Sequence, residues 1–229
     1  MKIKFLLLAF CAGTMLLTVP ARAQMVPKLR IAVQGGYGYR IGKVQETGNE
    51  VIDSHNKKLK WGPAFGADVT YHWSDDFGLG LKFNDMHSSA KDAVTVTYDT
   101  GGSESGMYND VVDLRFIGAI MASRNVSASG NGVFFLDCGV GYLSYTDAGR
   151  MVNQSGVIKG GTLGACLDVG YDRRLMNNLF LGITLSTVSG TLSSYTETIS
   201  GKTEKITLDR DEKEGLMHVD LSLGIRYYL

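Results

Sequence analysis

The final stretch of the chain, LMHVDLSLGIRYYL from Leu216 to Leu229, alternates strictly between apolar and polar side chains. A period of two residues places successive side chains on opposite sides of an extended strand, so the apolar set shares one face. The other face carries an imidazole, a carboxylate and a guanidinium, from His218, Asp220 and Arg226. The pattern therefore predicts a β-strand with one apolar face and one polar face.

Seven further segments show the same period, and no stretch after residue 23 fits a helical period better. Each is about 11 to 13 residues long, which suits the roughly 9 to 11 residues that a tilted strand needs to cross a bilayer. With the final segment, the predicted strands are 29–41, 61–73, 77–87, 110–122, 133–145, 162–173, 179–190 and 216–229.

The connections between these strands alternate in length. Short turns at 74–76 and 174–178 and a modest one at 123–132 share one end, whereas 42–60, 88–109, 146–161 and 191–215 form long loops at the other. Outer-membrane barrels have short periplasmic turns and long external loops. We therefore expect an all-β fold, an eight-stranded antiparallel up-and-down transmembrane β-barrel. Alternating arms at 93–99 and 195–208 should continue as hairpins above the membrane.

The beginning of the chain fits export to that membrane. Residues 1–23 combine a basic start, an apolar run and a small-x-small site, which predicts a cleaved signal peptide and leaves 24–229 as a single barrel domain. Without those residues, 20 basic side chains face 23 acidic ones, a formal charge of −3 that argues against nucleic-acid binding. Cys138 and Cys166 fall on opposite faces of their strands, so we expect no disulfide between them.

The faces also distinguish a membrane barrel from a soluble barrel such as a lipocalin. Glycines fall mainly on the polar faces, where a narrow lumen needs small residues and an exposed surface does not. Tyrosine and tryptophan lie at the ends of the apolar faces, where hydrocarbon would meet water. Both observations place the polar faces inside and the apolar faces against lipid.

The end of the last strand carries a recognisable motif. The motif consists of Ser222, Gly224, Tyr227 and Leu229, which we expect to share one face. It resembles the C-terminal signal that outer-membrane barrels present to their insertion machinery, although that signal usually ends in Phe rather than Leu. With the signal peptide and eight strands, the mature chain resembles small outer-membrane barrels of the OmpA and OmpX type, similar to the porin-family barrels of Bacteroidota. The resemblance implies a bacterial outer-membrane location and names no ligand.

The polar faces predict the lining of the lumen. Eight strands leave a lumen just wide enough for side chains to fill, so buried charges there need partners. Because the turn 74–76 is short, lipid-facing Trp73 should oppose Phe77, which sets Asp68 against Lys82 as an ion pair. We expect this pair within a neutralising luminal charge network of Arg30, Asp68, Lys82, Asp113, Arg115, Asp137, Asp168, Asp172, His218, Asp220 and Arg226. A proton-titrated or cation-selective conduit is the alternative.

Catalytic and metal chemistry find little support in the sequence. His218 and Ser222 lie about 13 Å apart along one strand, beyond hydrogen-bond reach. His55 and His87 are assigned to solvated surface, and no spacing predicts a metal site. We therefore expect no enzyme activity, no catalytic residues and no cofactor.

The expected function is structural or adhesive, exerted through the extracellular loops of a plugged monomeric barrel. A small passive or regulated pore and a lipid-modifying enzyme are the alternatives. The expected partners are outer-membrane lipids, the barrel-insertion machinery and a protein or surface bound at the loops, with no nucleic acid.

Overall fold

The computed structural model describes residues 27–42, 50–97, 102–152, 154–209 and 213–229, so the predicted signal peptide lies outside the described residues. In these ranges no helix is long and apolar enough to cross a membrane. The described elements are β1 (Leu29–Arg40), α1 (Glu50–Lys58), β2 (Trp61–His72), β3 (Phe77–Thr97), β4 (Ser103–Val126), β5 (Gly132–Met151), β6 (Gln154–Met176), β7 (Leu179–Leu192), β8 (Ser194–Ile199), β9 (Lys202–Thr207), β10 (Glu214–Gly215) and β11 (His218–Tyr228).

Eight of the strands close into a ring. Strands β1 to β7 pair in chain order, and β11 pairs with both β7 and β1, every pairing being antiparallel. The closing seam is bonded to its end, because Leu29 and Leu229 exchange backbone hydrogen bonds of 2.9 and 2.7 Å. The predicted eight-stranded antiparallel barrel is therefore confirmed.

The register of the first short hairpin is also as predicted. Asp68 opposes Lys82, and Val69 opposes Leu81, across β2 and β3. The turn between these strands is fastened by Ser74, whose Oγ accepts a hydrogen bond of 3.0 Å from the amide of Phe77. A fixed register matters because a slip of one residue would turn every side chain of the strand to the opposite face.

An exposed apolar belt surrounds the ring. Outward side chains such as Leu81, Val140 and Leu223 are more than half exposed, and Leu163 reaches 77%. Aromatic residues mark its two rims, with Tyr37, Trp61 and Tyr142 toward the long loops and Trp73, Phe134 and Tyr227 toward the short turns. A belt of this kind is typical of a surface that hydrocarbon covers, because soluble monomers rarely expose such continuous apolar area.

Four strands continue well beyond this belt. Strands β3 to β6 have 21, 24, 20 and 23 residues, about one and a half to two times the length predicted, so most of the expected loops 88–109 and 146–161 are strand. The predicted raised hairpin is present as β8 and β9, joined through Ser200 and Gly201 with φ of 49° and 82° and paired with β6. Glycine suits this turn because positive φ costs it little. By the rule for outer-membrane barrels, this extended end is the extracellular end.

One helix occurs where a loop was expected. Helix α1 lies within the connection 42–60, and its acidic residues, Glu50 and Asp53, come first while Lys57 and Lys58 come last, which suits the helix dipole. His55 on this helix is fully buried, so its assignment to solvated surface was wrong. The histidine is buried because it packs between acidic residues of β3 and β4, as described below.

The two cysteines behave as expected. Cys166 is buried on the luminal face of β6, whereas Cys138 is partly exposed on the outward face of β5. The structure forms no disulfide between them. Their placement on opposite faces is what the alternation predicted.

Candidate functional site

The interior of the barrel is the candidate site, and its periplasmic half is charged. Arg30 on β1 is buried and donates to Asp68 at 2.9 Å, to Thr70 at 3.2 Å, and to Asp137 on the far side of the lumen. Its guanidinium therefore joins β1, β2 and β5. We call this group, together with the two groups described next, the luminal charge layer.

A second guanidinium lies beside the first. Arg226 on β11 forms an ion pair with Asp172 at 3.1 Å, donates to Gln34 at 2.7 Å and also donates to Thr184. Asp172 also accepts a hydrogen bond of 2.6 Å from the hydroxyl of Tyr228. Because these groups are almost fully buried, the attraction within the pair has to offset the loss of hydration of both charges.

The third group corrects the predicted ion pair. Lys82 donates to both carboxylate oxygens of Asp168 and, at 2.7 Å, to Ser186. Asp68, its neighbour in register, is bound by Arg30 instead. The predicted Asp68–Lys82 pair is therefore wrong although the register is right, because the long lysine side chain crosses the lumen from β3 to β6 rather than turning to the adjacent strand.

Both arginines also contact an aromatic ring that sequence reasoning missed. The guanidinium carbons of Arg30 and Arg226 lie 4.9 and 5.1 Å from the ring centre of Phe135. A cation over an aromatic ring at this distance is favourable. The signal was available, because Phe135 has the same parity on β5 as Asp137. Arg124, which donates to the carbonyl of Asp75 at 2.7 Å, and fully buried His72 were also left out of the predicted network.

Above this layer lies a small polar cluster. His218 contacts Asn84 at 3.0 Å, and Asn84 donates to Asp220 at 2.9 Å. His218 and Asp220 lie 3.6 Å apart, and both are fully buried. The imidazole is therefore held by an amide and a carboxylate. No hydroxyl among the described residues, that of Ser222 included, forms a hydrogen bond with it.

The extracellular half of the interior is mainly apolar, although it also holds buried Ser88 and Asp110 and the hydrogen-bonded pair Tyr145–Asp147. Buried side chains from β3 to β7, from the residue that follows α1 and from the segment before β11 fill it, and they include Leu59, Met86, Leu114, Phe116, Ile120, Leu143, Val188, Leu192 and Leu216. At the opposite end, Val133, Phe180 and Tyr228 form a smaller apolar cluster. The charge layer is thus enclosed by apolar packing on both sides.

Two predicted luminal residues face outward. Asp113 lies 2.7 Å from the imidazole of His87, and Arg115 lies 3.0 Å from Asp85, all four on the outer surface of β3 and β4. The prediction that Asp113 and Arg115 line the lumen is wrong. Above the apolar belt the outer face meets water and the inner face carries the apolar core, so the polarity of the alternation inverts. The other nine residues of the predicted network lie on the luminal face.

Outside the membrane, a cluster fastens helix α1 to β3 and β4. His55 lies 2.9 Å from Asp92 on β3 and 3.3 Å from Asp110 on β4, and its ring stacks on Tyr108 with centres 4.0 Å apart. Lys58 also binds Asp92. We call these five residues the His55 clamp. Sequence reasoning missed it because nothing local links a histidine in a loop to two distant carboxylates.

The clamp and its surroundings shift several acid–base equilibria. Hydrogen bonds from Lys58 and then from His55 lower the pKa of Asp92. Burial raises the pKa of Tyr108, and the neighbouring carboxylate of Asp110 adds to the shift. Burial also raises the pKa of Asp147, against the hydrogen bond of 2.9 Å that it accepts from Tyr145. The clamp therefore favours an ionised Asp92 at neutral pH.

The C-terminal motif divides between two faces. Ser222 and Gly224 lie on the luminal face of β11, whereas Tyr227 and Leu229 lie on the outer face, about half exposed. The expectation that all four share one face is wrong, because their numbers differ in parity. In the ranges that the structure describes, no group of three or more potential ligands could hold a metal ion.

This chain is similar to known proteins in its fold alone. No protein-family model and no curated protein matches the sequence. A major outer membrane protein from Thermus thermophilus is similar in structure, with a TM-score of 0.55, 15% identity, and coverage of 88% of this chain and 99% of that one. The outer membrane protease OmpT from Escherichia coli has a TM-score of 0.52 and 8% identity, with coverage of 93% of this chain and 100% of that one. Neisserial surface protein A has a TM-score of 0.51 and 9% identity, with coverage of 88% of this chain and 97% of that one.

These likenesses agree with the architecture derived from the strand pattern. The chain has the fold of the outer-membrane β-barrels that its resemblance to OmpA and OmpX implied, and the matched proteins come from the outer membrane that we expected as its location. Because one of them is a protease, the fold itself does not decide between a catalytic and a non-catalytic role.

Proposed function

We propose that this protein is a non-conducting, non-catalytic outer-membrane barrel that acts through its extracellular extension, as a structural element that binds a protein or a surface. The observation that carries the proposal is the filled interior. Apolar packing around Phe180, the luminal charge layer and the apolar half around Phe116 follow one another along the axis. We also propose that the barrel acts as a monomer, in contact with outer-membrane lipids and placed there by the barrel-insertion machinery.

The order of these layers opposes ion flow. A passing ion would have to separate pairs such as Arg226–Asp172, and an unpaired charge left in a buried site costs several kcal/mol. It would then meet a packed, mainly apolar half around Phe116, and apolar constrictions in pores exclude water. The lumen therefore serves to stabilise the barrel.

The binding role rests on the edge of the extension. Strand β9 is the last strand in the sheet order, so one side of it has no partner strand among the described residues. Such an edge presents backbone donors and acceptors that an extended segment of another protein can pair with. Lys202, Glu204 and Lys205 are exposed along it, and charged side chains on an edge discourage indiscriminate pairing.

Conductance tests the closed lumen. In planar bilayers we expect no current steps from the purified protein. The triple variant Lys82→Ala, Phe116→Ala, Leu143→Ala removes side chains from both halves of the interior, and steps from this variant would show that the assay detects an open lumen. Reproducible steps from the unaltered protein would refute the non-conducting function and favour the pore.

Crosslinking tests the binding role. A photoreactive amino acid placed at Thr203 on β9, in intact cells, should give adducts with one dominant partner. The same amino acid at Ser105, on the extension of β4 away from this edge, is the matched control. Equal labelling from both positions, or none from β9, would rule out this edge as the binding surface.

The absence of catalysis has its own test. The buried His218 contacts Asn84 and Asp220, which is a structural arrangement rather than an activated nucleophile. Mass spectra of lipid A from cells with and without the protein should be identical. A mass difference that depends on the protein would show a lipid-modifying enzyme and overturn this part of the proposal.

A further inference from the structure

One sector of the outer face of the extension carries basic residues without acidic ones. The adjoining strands β3 and β4 do carry outward acids, Asp85 and Asp113, which are paired with Arg115 and His87. On β5, β6, β8 and β9 the described outward positions above the apolar belt hold hydroxyl-bearing and small or apolar side chains together with Arg150, Lys159 and Lys205. No Asp or Glu occupies any of these described positions. The glutamates of the raised hairpin, Glu197 and Glu204, oppose each other on the inward face. In this sector the acids of the hairpin thus point inward, and Arg150, Lys159 and Lys205 point outward.

The two lysines lie at one level of the sheet. Lys159 opposes Thr196 on β8, and Thr196 opposes Lys205 on β9, so the lysine backbones are two strands, or about 10 Å, apart. Both side chains are exposed, and neither forms an ion pair with a described residue. Two unpaired cations at this spacing can contact the same anionic group or two groups of one molecule.

This level is close to the membrane surface. Lys159 is four residues along β6 from Leu163, the most exposed side chain of the belt, which is about 13 Å along the strand. A strand tilt of about 40° reduces the height to roughly 10 Å. The polar headgroup region adds about 5 to 8 Å to each side of the hydrocarbon, and lysine side chains bend toward the layer that suits their charge.

A tyrosine joins the lysines to the belt. Tyr142 on β5 is opposite Leu163, and its hydroxyl lies over Gly161, where a Cβ would come within 1.9 Å of it. Glycine at 161 thus lets the phenol lie along the wall, one step below Lys159. Apolar side chains, a phenol hydroxyl and ammonium groups therefore follow one another up the same surface. They would meet, in the same order, the acyl chains, the base of the headgroup and the phosphates of a phosphorylated lipid.

We propose that this face binds the phosphate groups of an anionic lipid of the outer leaflet, with Lys159 and Lys205 contacting phosphate and Tyr142 contacting the base of the headgroup. Charge complementarity and continuity with the lipid-facing belt support this occupant. The site is separate from the edge of β9, because it uses the outward side chains rather than the free backbone. It requires only that the barrel stands in the membrane with β8 and β9 outside.

Nanodiscs test the assignment. The full barrel is placed in phosphatidylcholine discs with or without lipid A that carries two phosphates, and bound lipid A is measured after solubilisation, together with the melting temperature. The variant K159Q/K205Q should retain the fold and lose affinity for lipid A by on the order of 10-fold, since each surface base contributes a several-fold factor to anionic-lipid binding. The control K57Q/K202Q removes the same charge from α1 and from the inward face of β9, and should bind as the unaltered protein does.

Three results would overturn the proposal. Equal losses in both double variants would mean that binding follows net charge rather than this face. Equal binding of dephosphorylated lipid A would remove phosphate from the recognition. A thermal shift with inorganic phosphate alone that matches the shift with lipid A would identify a site for free anions.

Discussion

The pair Lys82–Asp168 offers the sharpest test of the luminal packing. The side chains are 2% and 6% exposed, and Ser186 donates to Asp168 at 2.6 Å while accepting from Lys82. Replacing Lys82 with Met keeps most of the volume but leaves Asp168 without its cation. Removing one partner of a buried pair costs about 3 to 5 kcal/mol, whereas replacing both with apolar groups is often nearly neutral.

We therefore expect Lys82→Met to lower the free energy of unfolding by about 3 to 5 kcal/mol, with a similar effect from Asp168→Leu. The double variant should lose much less than the sum of the two, giving a coupling of roughly 2 to 3 kcal/mol between the sites. The matched cycle uses Lys82→Met and Asp68→Asn, because Asp68 is the register neighbour that binds Arg30 instead. Its coupling should be clearly smaller.

Reversible urea unfolding in detergent micelles measures these energies. The fluorescence of Trp61 and Trp73, which are exposed on the belt near its two rims, reports the loss of the barrel. Additive losses for Lys82 and Asp168, within about 0.5 kcal/mol, would show that the two side chains do not meet across the lumen. Strong coupling between Lys82 and Asp68 would restore the pair expected from register alone.

Three further predictions follow from wall contacts, pH and the hairpin. Gly141→Ala should destabilise the barrel by about 1 to 3 kcal/mol because its Cβ would meet a backbone carbonyl at 2.2 Å, whereas Gly35→Ala, whose nearest atom is 4.0 Å away, should be close to neutral by urea unfolding. Because the pKa of Asp92 is lowered, its stabilisation of α1 is present at neutral pH and is lost as the pH falls below about 4. Hydrogen exchange of the α1 amides should then accelerate, and the variant Asp92→Asn should show no such pH dependence. Deleting 194–207, whose flanking residues already share a backbone hydrogen bond of 2.9 Å, should leave a folded barrel with unchanged heat-modifiable mobility on gels; failure to fold would show that the hairpin is needed for assembly.

Much of the wall could be predicted because its signals are local. Alternation gave the strands, and the short turn after Trp73 set the register of β2 and β3. Within the belt, parity alone assigned Arg30, Asp137 and Arg226 to the lumen, where the structure places them. These inferences need only a period of two and a turn too short to permit another register.

The pairing inside the lumen could not be predicted in the same way. Neighbouring positions on adjacent strands share a face, but a long side chain in a lumen only a few side chains wide can reach the opposite wall as easily. Lys82 reaches Asp168 on β6, and Arg30 reaches Asp137 on β5 as well as Asp68 on β2. Choosing among such partners requires the strand tilt and the relative heights, which the sequence of one strand does not contain.

The errors at Asp113 and Arg115 have a different origin, which also locates the membrane boundary. An outward charge costs roughly 2 to 4 kcal/mol at the bilayer midplane and little near the interface, so outward charges begin where hydrocarbon ends. The outward level of Phe83, Ile117, Tyr142 and Leu163 is wholly apolar or aromatic, and the next level holds Asp85, Arg115, Ser144 and Gly161.

Above that boundary the extension stands in water and must bury an apolar face of its own, which can only point inward. Leu114 and Phe116 on β4 are therefore buried while Asp113 and Arg115 are outside, and the strand keeps its period of two while its polarity reverses. A strand that runs from lipid into water must invert in this way. The residue at which apolar side chains change parity along β4 consequently marks where the barrel leaves the bilayer.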